Sequence, residues 1–314
     1  MSDKIQTVSL GSSSGLSVEL VDAGAALKRI CVPTHAGMVD VILGYADAAA
    51  YLQDTYCMGA TVGRFANRLR QDPVGVASDG ASASGILLHG GTQGFHRKRW
   101  RCEVDAESNT ATFRLTTEDR EDGFPGKLEA TVRYAIIGDD TLDIELRASA
   151  DASTPINLTN HAYFNLSSSS ESIDSHELLV HADEFTEFDD ELLPTGAIRG
   201  VDHGRFDFRC ARSLAAADAV IDQNMVVRGD PGKLRPAAEL RSFDTGILLS
   251  VETTQPGLQV YTGDNLAAPF TARAGICLEA QNFPDAPNHP HFPDAYFGPG
   301  RAYSERIRYR FSVA

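Results

Sequence analysis

No stretch of this chain approaches the roughly 18 uninterrupted apolar residues of a membrane-crossing helix. The opening segment, MSDKIQTVSLGSSSGLSVEL, also lacks the continuous apolar core of a secretion signal. Positive charge is scarce: 28 Lys and Arg against 43 Asp and Glu give a formal net charge of −15 and a pI near 5.0. That balance argues against nucleic-acid or anionic-membrane partners, although a local Arg cluster can still hold a small anion. The cysteines (Cys31, Cys57, Cys102, Cys210 and Cys277) are odd in number, scattered and free of CxxC pairs. They form neither a disulfide framework nor a thiolate metal site. Also missing are the phosphate-cradling GxGxxG and Gly-Lys-Ser/Thr loops and the GxSxG elbow of serine hydrolases. These absences predict a soluble, cytoplasmic protein with reduced thiols.

What is present is mostly strand. Residues 128–137, a turn at 138–140 and residues 141–148 alternate apolar and polar side chains, the pattern of a hairpin. Similar alternation marks 5–10, 16–21, 111–116, 246–253, 258–261 and 307–313. Helical windows are confined to 47–54 and the Ala-rich 213–220, too short to cover a parallel sheet. The serine patch 167–170 reads as a loop rather than a linker, because apolar strand patterns continue on both sides. The expected architecture is therefore all-β, a sandwich formed by residues 1–314 as one domain.

Polar and aromatic residues cluster in segments that make poor surface turns and poor core strands: GRFANRL (63–69), LHGGTQGF (88–95) with Trp100, NLTNHAYFNL (157–166) and LEAQNFPDAPN (278–288). On a strand, His161, Tyr163 and Asn165 would share one face, offering a titratable donor, a phenol and an amide to a polyhydroxylated ligand. The bland alternative is a core histidine satisfied by a backbone carbonyl; the flanking asparagines, each needing partners, favour a site. Glu279 follows the apolar run Ile276-Cys277-Leu278, which looks like a buried strand end. A carboxylate there is either a structural partner for an arginine such as Arg64 or Arg68, or a base whose pKa burial has raised. Arg68, beside Asn67, offers forked donors to vicinal hydroxyls, and Gly90-Gly91 after His89 serve a tight turn. His289-Pro-His291 lacks a further obvious ligand and is a weak metal signal.

Taken in order, these segments resemble the aldose 1-epimerase (galactose mutarotase) family. HADEFTEFDDELLPTG (181–196), LQVYTGDNL (258–266), LEAQNFPDAPNHPHFP (278–293) and PGRAYSERIRYRF (299–311) extend the resemblance from about residue 57 to the C-terminus. It implies a large antiparallel β-sandwich of the galactose mutarotase-like supersandwich kind, with few short helices. It also implies an open sugar cleft and a reaction without cofactor or metal. The family's acid falls on His161 and its base on Glu279. Its substrate-binding positions fall on Asn67, Arg68, His89, Tyr163, Asp222 and Gln259, although IDQNMVV around Asp222 only approximates the family's pattern. His96 stands where an acidic residue commonly follows Gly-Phe, and 71–85 is short and irregular beside the usual pair of strands. The implied partner is a free aldose (glucose, galactose or a pentose such as xylose or arabinose), bound by a monomer or homodimer. Competing readings are a hexose-6-phosphate 1-epimerase, which needs extra cations for the phosphate, a non-catalytic sugar-binding protein, and a two-carboxylate glycosidase.

Overall fold

Residues alternating with a period of two form the expected hairpin. In a computed structural model, Leu128–Ile137 and Thr141–Ala150 pair antiparallel from Ile137 opposite Thr141 to Leu128 opposite Ala150. The structure describes residues 4–11, 15–71, 85–167, 172–216 and 220–314. Most of the irregular stretch 71–85 and of the serine patch 167–170 therefore lies outside the described residues.

The hairpin belongs to a nine-stranded antiparallel sheet. Its order is Arg212–Ser213, His176–Val180, Arg235–Ser242, Ile247–Thr253, Tyr303–Val313, Thr141–Ala150, Leu128–Ile137, Thr110–Thr117 and Arg101–Asp105. A six-stranded sheet runs Tyr163–Phe164, Ile276–Gln281, Gly257–Tyr261, Asp222–Val227, Ala182–Phe188 and Pro194–Gly200. A four-stranded sheet over Thr7–Gly11, Ser17–Val21, Ala26–Thr34 and Gly37–Asp40 completes the larger layers.

The sheets share one interior. Phe113, Tyr134, Ile144, Leu249 and Tyr309 from the nine-stranded sheet join Leu258, Val260, Ile276 and Leu278 from the six-stranded sheet in a single buried cluster. Each fully buried aliphatic or aromatic side chain there contributes about 1.5–3 kcal/mol of transfer free energy. The architecture is thus the expected all-β sandwich. Helix among the described residues is limited to 3₁₀ turns. The longest, Ala48–Gln53, falls inside the window 47–54 and is capped by Asp47, whose carboxylate accepts from the Ala49 N–H at 2.9 Å. In the window 213–220 only Leu214–Ala216 is helical, and 217–219 lie outside the described residues. No described helix is long and apolar enough to cross a membrane.

The turn after His89 is closed by the Gly91 N–H donating to the Leu88 carbonyl at 3.0 Å. Gly90 has φ +84°, and a Cβ on it would lie 2.1 Å from the Gly63 carbonyl oxygen. Only glycine fits that contact between two segments that both carry cleft residues. Gly90→Ala should cost about 1–3 kcal/mol through the backbone conformation alone, plus the collision. A urea-unfolding midpoint equal to wild type would contradict this account of the turn.

Candidate active site

Register in the six-stranded sheet places the polar residues of three strands on one face. Tyr163 pairs with Cys277, Cys277 with Tyr261, and Tyr261 with Asp222, forming one row. Glu279 pairs with Gln259, and Gln259 with Asn224, forming the next. Directly opposed residues of antiparallel strands share a face, as do residues two apart, so both rows project the same way. Ile276, Leu278 and Ala280 take the other face and join the core. The strand Ile276–Gln281 is buried on both sides, and Glu279 sits inside it rather than at its end. Apolar residues alone mark a strand end at Leu278; the polar residues beyond continue the strand because their side chains face a cleft.

That cleft, of about 260 Å³, is lined by Asn67, Arg68, His89, His161, Tyr163, Asp222 and Glu279, with Tyr261, Asn265, Leu88 and the segment 55–57 at its walls. Asp54 holds this segment in place, accepting from the Tyr56 N–H at 2.9 Å, the Met58 N–H at 2.6 Å and the Tyr45 hydroxyl at 2.7 Å.

His161 and Glu279 meet at the floor. The imidazole Nε2 lies 3.6 Å from the Glu279 Oε1, with both side chains almost completely buried. The His161 backbone is pinned on both sides: its N–H donates to the Ala60 carbonyl at 2.9 Å, and its carbonyl accepts from Gly59 at 3.0 Å. The other carboxylate oxygen, Oε2, has no hydrogen-bond partner among the described residues. Burial, reinforced by the nearby Asp222 and only partly opposed by Arg68, raises the Glu279 pKa well above the usual carboxylate range. Burial also pushes His161 down to about 4. An arginine partner for Glu279 is not what the fold provides. Arg64 donates instead to the Pro125 and Gly126 carbonyls at 2.9 and 3.0 Å and to the Thr117 hydroxyl at 2.6 Å.

Other cleft residues are oriented by fixed partners. The Asn67 N–H donates to His89 Nδ1 at 3.2 Å, and the His89 N–H donates to the Asn67 carbonyl at 3.0 Å. An Nδ1 that accepts leaves the ring proton on Nε2. Burial, the largest cause, together with His161, His96 and Arg68 depresses the His89 pKa well below its ordinary value, which keeps the ring a neutral donor. Asn67, at φ +63°, uses its side-chain oxygen to accept from the Arg68 N–H at 2.8 Å. Arg68 faces Asp222 at 3.8 Å. The Tyr163 hydroxyl donates to the Tyr56 carbonyl at 3.0 Å, and the ring lies 5.0 Å from His161. Gln259 is almost fully buried and lies outside the cleft lining; its amide donates to the Asp222 Oδ1 at 2.6 Å, so it reaches the cleft only through Asp222.

The shared face of His161, Tyr163 and Asn165 is not continuous. Thr159–Asn160 pairs with Thr61–Val62, whereas Tyr163–Phe164 pairs with Ile276–Gln281. The chain bends between these two partners, at His161 and Ala162. His161 and Tyr163 stay together, but Asn165 turns to the Ala274 carbonyl at 2.8 Å and accepts from the Ser167 N–H at 3.0 Å. His96 is buried outside the cleft, its Nδ1 without a partner among the described residues. Tyr261, Asn265 and the segment 55–57 were not marked by the sequence. Tyr261 was accessible to it, standing two residues beyond Gln259 on the same strand face.

Among the described residues, His161, Cys277 and Glu279 are the one group of His, Cys, Asp or Glu with ligand atoms mutually within 4.8 Å. Its short approaches use opposite ring nitrogens: Cys277 Sγ lies 3.5 Å from Nδ1, whereas Glu279 faces Nε2. A metal takes one nitrogen of a histidine, so this geometry suits proton transfer better than a tetrahedral centre. His289 and His291 form no such group: the His291 Nε2 meets the Gly196 carbonyl at 2.7 Å, and His289 packs on Phe292 and lies 3.5 Å from Asp285. A larger depression of about 1180 Å³ lies over Trp100. Its Arg99, Arg101 and Arg114 are already ion-paired with Asp22 or Glu103, and its walls lack the convergent donors of the cleft.

Comparison with known proteins agrees with this fold. The family model described as aldose 1-epimerase matches residues 6–310. The aldose 1-epimerase of Escherichia coli K12 is 34% identical, over 97% of this chain and 94% of the relative. The galactose mutarotase of Mus musculus is 36% identical, over 96% and 93%. Among solved structures, an aldose epimerase homologue from C. elegans superposes with a TM-score of 0.90 at 31% identity, covering 99% of this chain and 100% of that one. The galactose 1-epimerase of Lactobacillus acidophilus gives 0.86 at 25% identity, covering 100% and 97%. With its fold and sequence in agreement, the chain belongs to the aldose 1-epimerase family, carbohydrate isomerases that act on free aldoses.

Proposed function

We propose that this chain interconverts the α and β anomers of a free aldose, with His161 as general acid and Glu279 as general base. The observation that carries the assignment is their 3.6 Å approach at the cleft floor, with Glu279 Oε2 left unpartnered. Glu279 takes the proton of the anomeric hydroxyl while His161 donates to the ring oxygen, and the C1–O5 bond breaks. Rotation about C1–C2 turns the other face of the aldehyde toward O5, and the transfers run in reverse to close the ring. Each positioned group typically contributes about 10²–10⁴-fold.

Protonation of the pair follows from burial. Each charge alone is disfavoured by burial, which favours a neutral imidazole beside a protonated carboxyl. Moving that one proton to His161 creates an ion pair whose charges offset each other at short range. A sugar hydroxyl that hydrogen-bonds to the carboxylate stabilises its charge, and so substrate itself tips the pair toward its reactive form. Asn67, Arg68, His89, Tyr163 and Asp222 hold hydroxyls away from C1, with Gln259 setting Asp222, so that the ring opens while the rest of the sugar stays in place.

The cleft volume suits one monosaccharide, and glucose, galactose, xylose and arabinose are the candidates. Arg68 is the one cation lining the cleft among the described residues, and it already faces Asp222. That favours an uncharged sugar over a sugar phosphate. We further place the reaction in the cytoplasm, carried out by residues 1–314 as one domain in a monomer or homodimer; the free thiols support a reducing compartment.

Polarimetry on freshly dissolved α-glucose, α-galactose and α-xylose tests the roles. His161→Asn and Glu279→Gln should each lower kcat at least about 10²-fold, and retention of most activity by both would remove the assignment. Arg68→Met should act mainly on KM, raising it about tenfold for the loss of roughly one charged hydrogen bond; a purely kcat effect would move Arg68 out of the binding role. The pH profile is a third check. The single-proton state of the pair persists from about 4, where the depressed His161 titrates, up to the raised value of Glu279. The acid limb of kcat/KM should therefore fall near 4, and a midpoint at the ~6.5 of an ordinary histidine would contradict the shared-proton account.

A further inference from the structure

Two tyrosines of the six-stranded sheet line the cleft, and their hydroxyls are committed in opposite senses. Tyr163 donates its proton to the Tyr56 carbonyl at 3.0 Å, so it can meet a ligand only as an acceptor. Tyr261, whose ring centre lies 6.2 Å from that of Tyr163, is used the other way round. Its oxygen accepts from the Asn265 N–H at 3.0 Å, and its own proton has no acceptor among the described residues. We propose that Tyr261 is a sugar-binding residue, its O–H donating a hydrogen bond to a ring hydroxyl held beside Asp222. The proposal rests on the reading of the cleft as the sugar site.

The position of the phenol supports this role. Tyr261 stands directly opposite Asp222 on the neighbouring strand, and both line the cleft. Opposed side chains on one face lie close enough to meet the same group of a ligand. Asp222 is set by the Gln259 amide at 2.6 Å and faces Arg68 at 3.8 Å. A carboxylate facing a guanidinium accepts hydrogen bonds and gives none. A sugar hydroxyl that donates to Asp222 therefore keeps lone pairs to fill, and on this wall Tyr261 has the proton to fill one. Burial pushes the phenol up to about 12, so that proton stays in place at neutral pH. The turn that orients it is braced: the Thr262 hydroxyl donates to the Asp264 carboxylate, which faces Arg273 at 3.5 Å. Asn265 also lines the cleft, but it is exposed, and a donor already in water gains little by exchanging water for sugar. The half-buried Tyr261 hydroxyl gains more.

The test measures KM by polarimetry for whichever of glucose and galactose reacts faster, and for its deoxy derivatives lacking the hydroxyl at C2, C3, C4 or C6. The full-length chain is compared with Tyr261→Phe. The variant should raise KM for the parent sugar about fivefold with kcat little changed. For one derivative, the one missing the contacted hydroxyl, the two proteins should share the same KM. An equal rise for every sugar would show that phenylalanine disturbs the wall rather than removing a contact, and would overturn the proposal. An unchanged KM for the parent sugar would overturn it equally. A crystal structure of the wild-type chain with that sugar decides the matter even if the variant folds poorly. Tyr261 Oη should lie about 2.5–3.0 Å from a sugar hydroxyl oxygen, and separation from all of them would sink the assignment. The acid and base roles fail separately, by retained activity of His161→Asn and Glu279→Gln, whatever Tyr261 touches.

Discussion

The desolvation of one carboxylate governs much of this molecule. Glu279 lies on a strand covered on both faces, and a carboxylate removed from water without compensation costs several kcal/mol. The surroundings do not neutralise it with an arginine, and the nearest cation, Arg68, is shared with Asp222. What faces Glu279 is a histidine under the same constraint. Two groups that each resist charging when buried, but can become charged together, suit the proton donor and acceptor proposed for them.

The rest of the fold can be understood as the support for that pair. Sheet register brings Tyr163, Cys277, Tyr261 and Asp222 into line beside Glu279, Gln259 and Asn224. The core behind them, where Ile276, Leu278 and Ala280 interlock with the nine-stranded sheet, fixes the strand's position. The opposite wall comes from the short strands Arg68–Arg70 and Ile86–Leu88, joined by the mutual hydrogen bonds of Asn67 and His89. The polar cleft residues thus stand on rigid elements, with the His89 ring and the Asn67 and Tyr163 side chains held by backbone contacts.

Much of this was legible in the sequence, for identifiable reasons. Period-two alternation marked the hairpin 128–148 because one face of it is buried and the other is not. Alternation failed at Ile276–Gln281, where both faces are buried, so apolar residues alone suggested that the strand stopped before Glu279. The face proposed for His161, Tyr163 and Asn165 assumed an unbroken strand; nothing local reveals that the two halves pair with different partners. The motif around Gln259 points to the ligand, but a motif does not tell a residue touching sugar from one holding Asp222. In the sequence Cys277 is one of several scattered thiols. Its position across from Tyr163 and Tyr261 exists only once the sheet is assembled.

The two oxygens of Glu279 are not equivalent: Oε1 faces the imidazole, and Oε2 is buried without a hydrogen-bond partner among the described residues. An anomerase must treat its reactant and its product as the same guest, because each direction of the reaction begins where the other ends. The C1 hydroxyl of the two anomers projects on opposite sides of the ring, while C2 onward is unchanged. On the proposed roles, the carboxylate that takes the C1 proton has to meet both projections from one buried position. That requirement falls on the one part of the sugar that moves, while the cleft around C2 onward can stay rigid.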